Sequence, residues 1–161
     1  MPNGGFEDGW TGWQHDGQLA QSISTADVYE GSYAARLGDP SYACNLGVPV
    51  GSAWIEGTVS VPSRWVSKLR VYYRIWSEDK FKGYGFDRFR ILVNGVEEMD
   101  DGNQTTVYSC SNLPQSEGWE YYDVDVTSYL GHDITLRLEN WSEPDGWYNT
   151  WTYVDGLVFL P

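Results

Sequence analysis

The sequence predicts an all-β fold, an antiparallel β-sandwich of the jelly-roll type, and two observations support it. Apolar residues recur at every second position in the long stretches 68–79 and 87–99, and nowhere at helical spacing. Clusters of Gly, Pro, Asn and Asp separate these stretches from their neighbours. About nine or ten short strands with such turns between them are typical of a sandwich or jelly roll.

The individual strands follow from the same alternation and from the turns that bound it. Within 87–99, Asn94-Gly95 stands between two valines and marks a two-residue hairpin, because a type I′ turn needs positive φ at both positions. The predicted strands are, in order, 18–25, 33–37, 53–61, 68–79, the two arms of 87–99, 105–110, 119–126, 133–141 and 150–160.

The length of 161 residues and the composition predict a single globular domain that spans 1–161. Hydrophobic residues make up 41% of the chain and aromatic residues 16%, which is enough to fill a core and to supply a binding surface. The formal net charge of −13 argues against nucleic acid as a partner, because binding it requires a basic surface. No apolar stretch reaches transmembrane length, so membrane insertion is not expected.

Cys44 and Cys110 are the two cysteines, and they lie far apart in the sequence. Neither belongs to a C-x-x-C pair, so the usual zinc and haem signatures are absent. They are either two buried free thiols or one long-range disulfide. The polar composition, rich in Gly and Tyr, favours secretion and therefore the disulfide.

The strands also predict a surface, because alternation sorts side chains by face. The residues assigned to the core are Leu69, Val71, Ile75, Phe89, Ile91, Ile134, Leu136 and Leu138. The residues predicted to share the opposite face are Tyr72, Arg74, Trp76, Arg90, Arg137, Glu139 and Trp141. Aromatic rings stack on the C–H face of a sugar, and guanidinium and carboxylate groups bond its hydroxyls. The pattern indicates a carbohydrate-binding face, with an Arg–carboxylate lattice under covering loops as the alternative.

Sequence features of a catalytic site are weak. His15 and His132 are the only histidines, and neither lies near a nucleophile-elbow pattern. Paired carboxylates can cleave glycosides, but most acidic residues here lie in hydrophilic turns such as 97–102. No phosphate-binding loop and no HExxH motif is present. We therefore expect a protein that is not an enzyme.

Several motifs resemble one family. The opening NGGFEDGWTGWQ (3–14) is similar to the N-x-G-F-E-x-G-x-x-G-W start of jelly-roll, galactose-binding-like carbohydrate-binding modules, which occur in secreted bacterial proteins and beside xylanases and other glycosidases. YEGSYAARLG (29–38) resembles their Y-x-G-x-x-A-x-x-L strand, and 119–141 and 151–159 resemble their endings. The resemblance covers both ends and most of the middle of the chain. It implies a secreted, non-catalytic module that binds a polysaccharide or another glycan.

The resemblance also implies a structural calcium ion where the first and last strands meet. The implied ligands are the carboxylates of Glu7 and Asp155, carbonyl groups near Glu30 and Tyr33, and Asn3 or Gly5. Calcium takes about six to eight oxygen ligands and accepts such a mixture. Gly156 departs from the family pattern, which often has a second acidic residue there. Without a metal, Glu7 would cap a turn or pair with an arginine.

Trp147, Tyr148 and Trp151 form a second aromatic group before and within the last strand. They are predicted either as a loop platform for a sugar or as side chains packed over the edge of the sandwich. Two further classes of function remain alternatives to a binding module. One is a cell-surface, surface-layer or filament subunit that self-associates through its jelly roll, and the other is a glycosidase.

Overall fold

The computed structural model describes residues 1, 3–42, 47–78, 87–102, 114–142 and 148–161. These residues form ten strands and one short 3₁₀ turn, Thr127–Tyr129. The strands are β1 (Gln14–Gly17), β2 (Gln21–Ser24), β3 (Ala34–Leu37), β4 (Gly51–Ser60), β5 (Lys68–Ser77), β6 (Asp87–Val93), β7 (Val96–Gly102), β8 (Glu120–Asp125), β9 (Asp133–Ser142) and β10 (Thr150–Leu160).

The ten strands pair into two five-stranded sheets on either side of a hydrophobic core. Sheet A has the order β1-β4-β9-β6-β7, and sheet B has the order β2-β3-β10-β5-β8. Every pair of neighbouring strands in both sheets is antiparallel. The predicted all-β jelly-roll sandwich is therefore confirmed.

The predicted hairpin joins β6 and β7. Asn94 and Gly95 have φ values of 50° and 79°, and Val93 pairs with Val96 across the turn. The short strand β1 is not predicted from the sequence. Its residues are polar and lie at the edge of sheet A, where no buried face imposes an alternation.

The core is filled by the apolar residues that alternate along the central strands. All eight side chains assigned to the core from the sequence are buried. In sheet A, Ile91 pairs with Leu138, and in sheet B, Leu69 pairs with Phe159. Burying one such side chain stabilises the fold by about 1.5–3 kcal/mol, so the two inner faces determine which residues point outward.

The N-terminal segment is held against the last strand. The N–H of Leu157 donates to the carbonyl of Gly4 at 3.0 Å. Phe6 is completely buried, and the ring of Trp13 lies on it with centroids 5.5 Å apart. The tryptophan near the terminus therefore contributes to the core, because the main chain around it is fixed.

Three predictions fall on residues outside the described ranges. They are the strand 105–110, the disulfide between Cys44 and Cys110, and the position of Trp147. Each of them stays a prediction.

Trp65, in the turn between β4 and β5, is 88% exposed and has a φ of 66°. A non-glycine residue in this left-handed region costs about 1–2 kcal/mol, and the exposed indole buries little surface to offset that cost. Trp65→Asn is therefore expected to raise the free energy of unfolding by about 0.5–1 kcal/mol, because asparagine tolerates this conformation. Urea unfolding measures the change. Arg64→Asn, in the same turn without a positive φ, is the control, and a destabilised Trp65→Asn protein would contradict the prediction.

Candidate functional site

The outward residues predicted to share one face lie on two faces, so that prediction is wrong. The two groups are Arg90, Arg137, Glu139 and Trp141 on the outer face of sheet A, and Tyr72, Arg74 and Trp76 on that of sheet B. Alternation along a strand separates inward from outward side chains, but strand pairing decides to which sheet each strand belongs. β5 pairs with β8 and β10, whereas β6 and β9 pair with each other.

Glu139 is the centre of the sheet A face. Its carboxylate accepts hydrogen bonds from Nη2 of Arg90 and, at 3.0 Å, from Nε of Arg137, and Nη2 of Arg137 forms an ion pair with it at 2.9 Å. Glu139 is only 5% exposed, and a carboxylate without partners would be costly in that environment. The carboxylate therefore fixes the positions of both guanidinium groups.

Further carboxylates surround the arginines of this face. The pairs are Arg137–Glu56 at 3.8 Å, Arg90–Glu97 at 3.7 Å and Arg88–Asp100 at 3.0 Å. Their side chains are all partly exposed, so each pair contributes little to stability by itself. Together with the bonds to Glu139, they hold the polar groups in a network that is accessible to solvent.

Trp54 and Trp141 flank this network, and both are partly exposed. The guanidinium carbon of Arg137 lies 4.1 Å from the ring centroid of Trp54, and that of Arg90 lies 5.8 Å from that of Trp141. Trp54 of β4 pairs with Glu139 of β9, and Trp141 of β9 pairs with the residue two positions before Trp54 in β4. The two indoles are therefore diagonal neighbours on adjacent strands.

Trp54 is not among the site residues predicted from the sequence, although a signal for it is present. In 54–60 the buried residues Ile55 and Val59 occupy odd positions, which places Trp54 on the outer face. Gly57 interrupts the apolar series and conceals the alternation.

A groove continues the sheet A face along β4 and β9. It encloses about 530 Å³, and its walls include Gln14, Glu56, Thr58 and Thr135. Glu56 belongs both to this groove and to the arginine network. The tryptophans, the arginines and the groove therefore form one continuous surface, called here the sheet A site.

The carboxylate of Asp27 organises one part of the outer face of sheet B. Asp27 accepts N–H hydrogen bonds from Trp76 at 2.7 Å, Trp119 at 3.2 Å and Arg74 at 3.1 Å. Trp76 in turn lies parallel to Trp151, with ring centroids 6.2 Å apart. The loop between β2 and β3 thus covers this part of the sheet, which matches the predicted alternative of a lattice under covering loops.

Tyr72 belongs to a stack on the same outer face. Its ring lies parallel to Tyr29 at a centroid distance of 3.8 Å, and the hydrogen bonds with Tyr29 and Arg70 lower the pKa of its hydroxyl. Gly156 leaves room for the stack, because a Cβ there would lie 2.9 Å from Tyr29 and 3.1 Å from Tyr72. Its φ of 61° also favours glycine. Packing therefore accounts for the departure from the family pattern at this position.

Trp151 is not part of a loop platform, which corrects one of its two predicted placements. It lies in β10 opposite Trp76 and is buried against Tyr153. Tyr148 precedes β10 and is partly buried. Packing against the sandwich is the placement that holds for Trp151.

A cavity of about 270 Å³ opens at one end of the sandwich. Its walls include Leu19, Val48, Asp39 and Asn149. The side-chain amide of Asn149 donates to the carbonyl groups of Asp39 at 2.7 Å and Tyr42 at 3.2 Å. Because this amide is already hydrogen-bonded within the protein, the cavity is a weaker candidate site than the sheet A site.

Glu7 and Asp155 bind the same turn. Oε1 of Glu7 accepts from the N–H groups of 32–33 at 2.8 and 3.0 Å, and Oδ2 of Asp155 accepts from those of 29–30 at 2.9 and 3.1 Å. Gly31 lies between the two pairs with a φ of 72°, and a Cβ there would overlap the Glu7 carboxylate. The N-terminal segment and the last strand are therefore joined through one turn.

Asn3 fastens the N-terminal loop. Its amide donates to the carbonyl groups of Gly9 at 2.9 Å and Thr11 at 2.8 Å, and its side-chain oxygen accepts from the N–H of Asp8 at 3.0 Å. The side chain of Asn3, which was predicted as a possible further metal ligand, is thus already bonded within the loop.

The chemistry of Glu7 and Asp155 fits the implied calcium ion. Asp155 is completely buried, and burial raises the pKa of its carboxyl to about 6. Among the described residues, neither carboxylate forms an ion pair with Lys or Arg, so a hard cation would supply a missing positive charge. The described part of the chain has no cluster of three or more His, Cys, Asp or Glu side chains. The remaining ligands would therefore be backbone carbonyl groups.

The two sheets define the chain as a jelly-roll β-sandwich of the kind found in carbohydrate-binding modules. No protein-family model and no curated protein sequence matches it. It is similar in structure to TmCBM61 solved with β-1,4-galactotriose, with a TM-score of 0.58 and 16% identity over 99% of this chain and 96% of that chain.

Two further solved structures are similar to the chain. The K1 cleaved adhesin domain of Lys-gingipain from Porphyromonas gingivalis W83 has a TM-score of 0.57 and 10% identity over 93% of this chain and 94% of that chain. A carbohydrate-binding module of promiscuous specificity from the β-sandwich superfamily has a TM-score of 0.51 and 13% identity over 98% and 60%. At these identities the likeness confirms the resemblance at the level of fold. The ligand has to be inferred from the residues of the site.

Proposed function

We propose that the chain is a non-catalytic carbohydrate-binding module and that the sheet A site binds the glycan. The observation that carries the proposal is the arrangement of Trp54 and Trp141 beside two guanidinium groups fixed by Glu139. Indole rings can stack on the C–H face of a sugar while the charged network bonds its hydroxyls. Residues fixed before binding lose little conformational entropy when the ligand arrives.

The outer face of sheet B is the weaker candidate. The indole N–H groups of Trp76 and Trp119 are bonded to Asp27, and Trp151 is buried. A glycan would have to displace these contacts, which stabilise the loop between β2 and β3. The sheet A tryptophans carry no covering loop of this kind among the described residues.

Trp54→Ala and Trp141→Ala should each weaken glycan binding about tenfold or more while the protein remains folded. Loss of one stacking ring removes both buried apolar area and about 0.5–1.5 kcal/mol of aromatic contact. A glycan array identifies a ligand, and isothermal titration then compares the variants. Trp65→Asn is the control, because it removes an exposed tryptophan from a turn outside the site. Unchanged affinity in both sheet A variants would place the site elsewhere.

Two assays address the alternative functions. Release of reducing sugar from plant or microbial glycans would contradict a non-catalytic module. Polymers in size-exclusion chromatography, with or without calcium, would favour a self-associating surface subunit. A monomer that binds glycan and releases no sugar is the expected result.

We further propose that the module is secreted and that calcium stabilises it through Glu7 and Asp155. The composition and the resemblance of the chain to modules of secreted bacterial proteins support secretion. Within the described residues, no helix is long and apolar enough to cross a lipid bilayer. The buried carboxylate of Asp155, which has no Lys or Arg partner among the described residues, supports the calcium ion.

A further inference from the structure

The positive charges of the sheet A site are neutralised within the protein. Its three arginines are Arg88, Arg90 and Arg137, and their carboxylate partners are Glu56, Glu97, Asp100 and Glu139. Among the described residues, three positive groups thus face four negative ones, so this network offers no excess positive charge to a ligand.

We infer that the ligand of the sheet A site is an uncharged glycan chain and that the site rejects uronate-rich or sulfated glycans. This inference rests on the proposed function. An anionic sugar group binds an arginine most strongly when that arginine can give it two parallel hydrogen bonds. Here Nε and Nη2 of Arg137 are both bonded to Glu139, and that carboxylate is buried between two arginines.

The electrostatic field of the whole protein also disfavours an anionic ligand. The chain carries a formal net charge of −13, and like-charged partners approach each other slowly and bind weakly unless a local patch reverses the sign. The balanced network of the sheet A site provides no such patch. An acidic polysaccharide would therefore be repelled at long range. At short range it would have to displace a carboxylate from an arginine.

The groove beside the tryptophans fits the same chemistry. The groove is lined along β4 from Glu56 to Thr58, and Trp54 lies two residues before Glu56 on the same strand. From Trp54 to Thr58 the surface follows four residues of β4, about 13 Å at the rise of a strand. Thr58, Thr135 and Gln14 line the groove with uncharged donors and acceptors. Such a lining suits the hydroxyl groups of further sugar rings, so the site favours a chain over a single charged sugar.

The test compares neutral glycans with charged forms of the same backbone in affinity electrophoresis. The probes are galactan, xylan and glucan chains, their carboxymethylated derivatives, and methyl-esterified and de-esterified homogalacturonan. We expect retention by at least one neutral chain and about tenfold or more weaker retention by its charged form. Equal or tighter binding of the charged forms would overturn the inference and leave the proposed function intact. No retention by any probe or on the glycan array would overturn the proposed function itself.

Removing two outer carboxylates should change this selectivity. Glu97→Gln with Asp100→Asn leaves three arginines facing two carboxylates, so retention by the carboxymethylated chain should rise by about threefold or more and fall again in high salt. The control is Asp8→Asn with Glu98→Gln, which changes the net charge equally at side chains without an ion pair among the described residues. A folded Glu97→Gln, Asp100→Asn protein that still rejects the charged chain would show that charge balance does not set the selectivity.

Discussion

Replacing Asp27 with alanine is expected to lower the free energy of unfolding by about 3–5 kcal/mol. The side chain accepts hydrogen bonds from Arg74, Trp76 and Trp119, and it is largely shielded from solvent. Without it, one guanidinium group and two indole N–H groups lose their acceptor, and each partly buried donor without a partner costs about 1–3 kcal/mol. Urea unfolding followed by tryptophan fluorescence measures the loss.

Asp27→Asn provides the comparison, because the amide keeps the shape and one acceptor oxygen but loses the charge. Its loss of stability should be smaller than that of Asp27→Ala. Under conditions where both variants are folded, glycan affinity at the sheet A site should be unchanged, since Asp27 lies on the other outer face. An Asp27→Ala protein as stable as the wild type would show that the network on sheet B does not hold the loop. Loss of glycan binding by a folded variant would place the binding site on sheet B.

In the presence of a chelator, the stability of the wild-type protein should fall as the pH rises from about 4 to 6, by up to about 3 kcal/mol. The carboxyl of Asp155 has a pKa of about 6 in the folded protein, above its ordinary 3.8. Between these two values the folded state holds a proton that the unfolded state releases, so a rising pH favours unfolding. Asp155→Asn cannot titrate, and the difference between the two unfolding curves isolates this contribution.

Calcium should reverse this dependence, because a bound cation favours the ionised carboxylate. At a free concentration of about a hundred times Kd, a metal that binds only the folded state stabilises it by about 2.7 kcal/mol. Glu7→Gln and Asp155→Asn should remove most of that response, whereas Asp8→Asn, at the neighbouring exposed carboxylate, should retain it. A melting temperature indifferent to both chelator and calcium, with no calcium in elemental analysis, would leave Glu7 as a turn cap alone. In that case the pH dependence of stability would remain, because it follows from the burial of Asp155.

Most of the strands, and the inward or outward orientation of their side chains, follow from the sequence alone. The period of two in 68–79 and 87–99 follows from the geometry of a strand with one buried face, and the positive φ of Asn94 and Gly95 follows from the hairpin they form. Gly31 and Glu7 lie in motifs that resemble a known family, and the structure brings them together at one turn. Local chemistry is sufficient for the strands and the hairpin, because each depends on neighbouring residues in the chain.

Which outward residues share a surface depends on how the strands pair. Tyr72 and Arg137 both alternate with core residues, but β5 and β9 belong to different sheets, so their side chains lie on opposite sides of the molecule. The hydrogen bonds to Asp27 join residues that are 47 to 92 positions apart. No local pattern marks such a partner. Strand pairing depends on the packing of the whole core. Contacts between distant segments stabilise the fold only after the chain has lost the conformational entropy needed to bring those segments together.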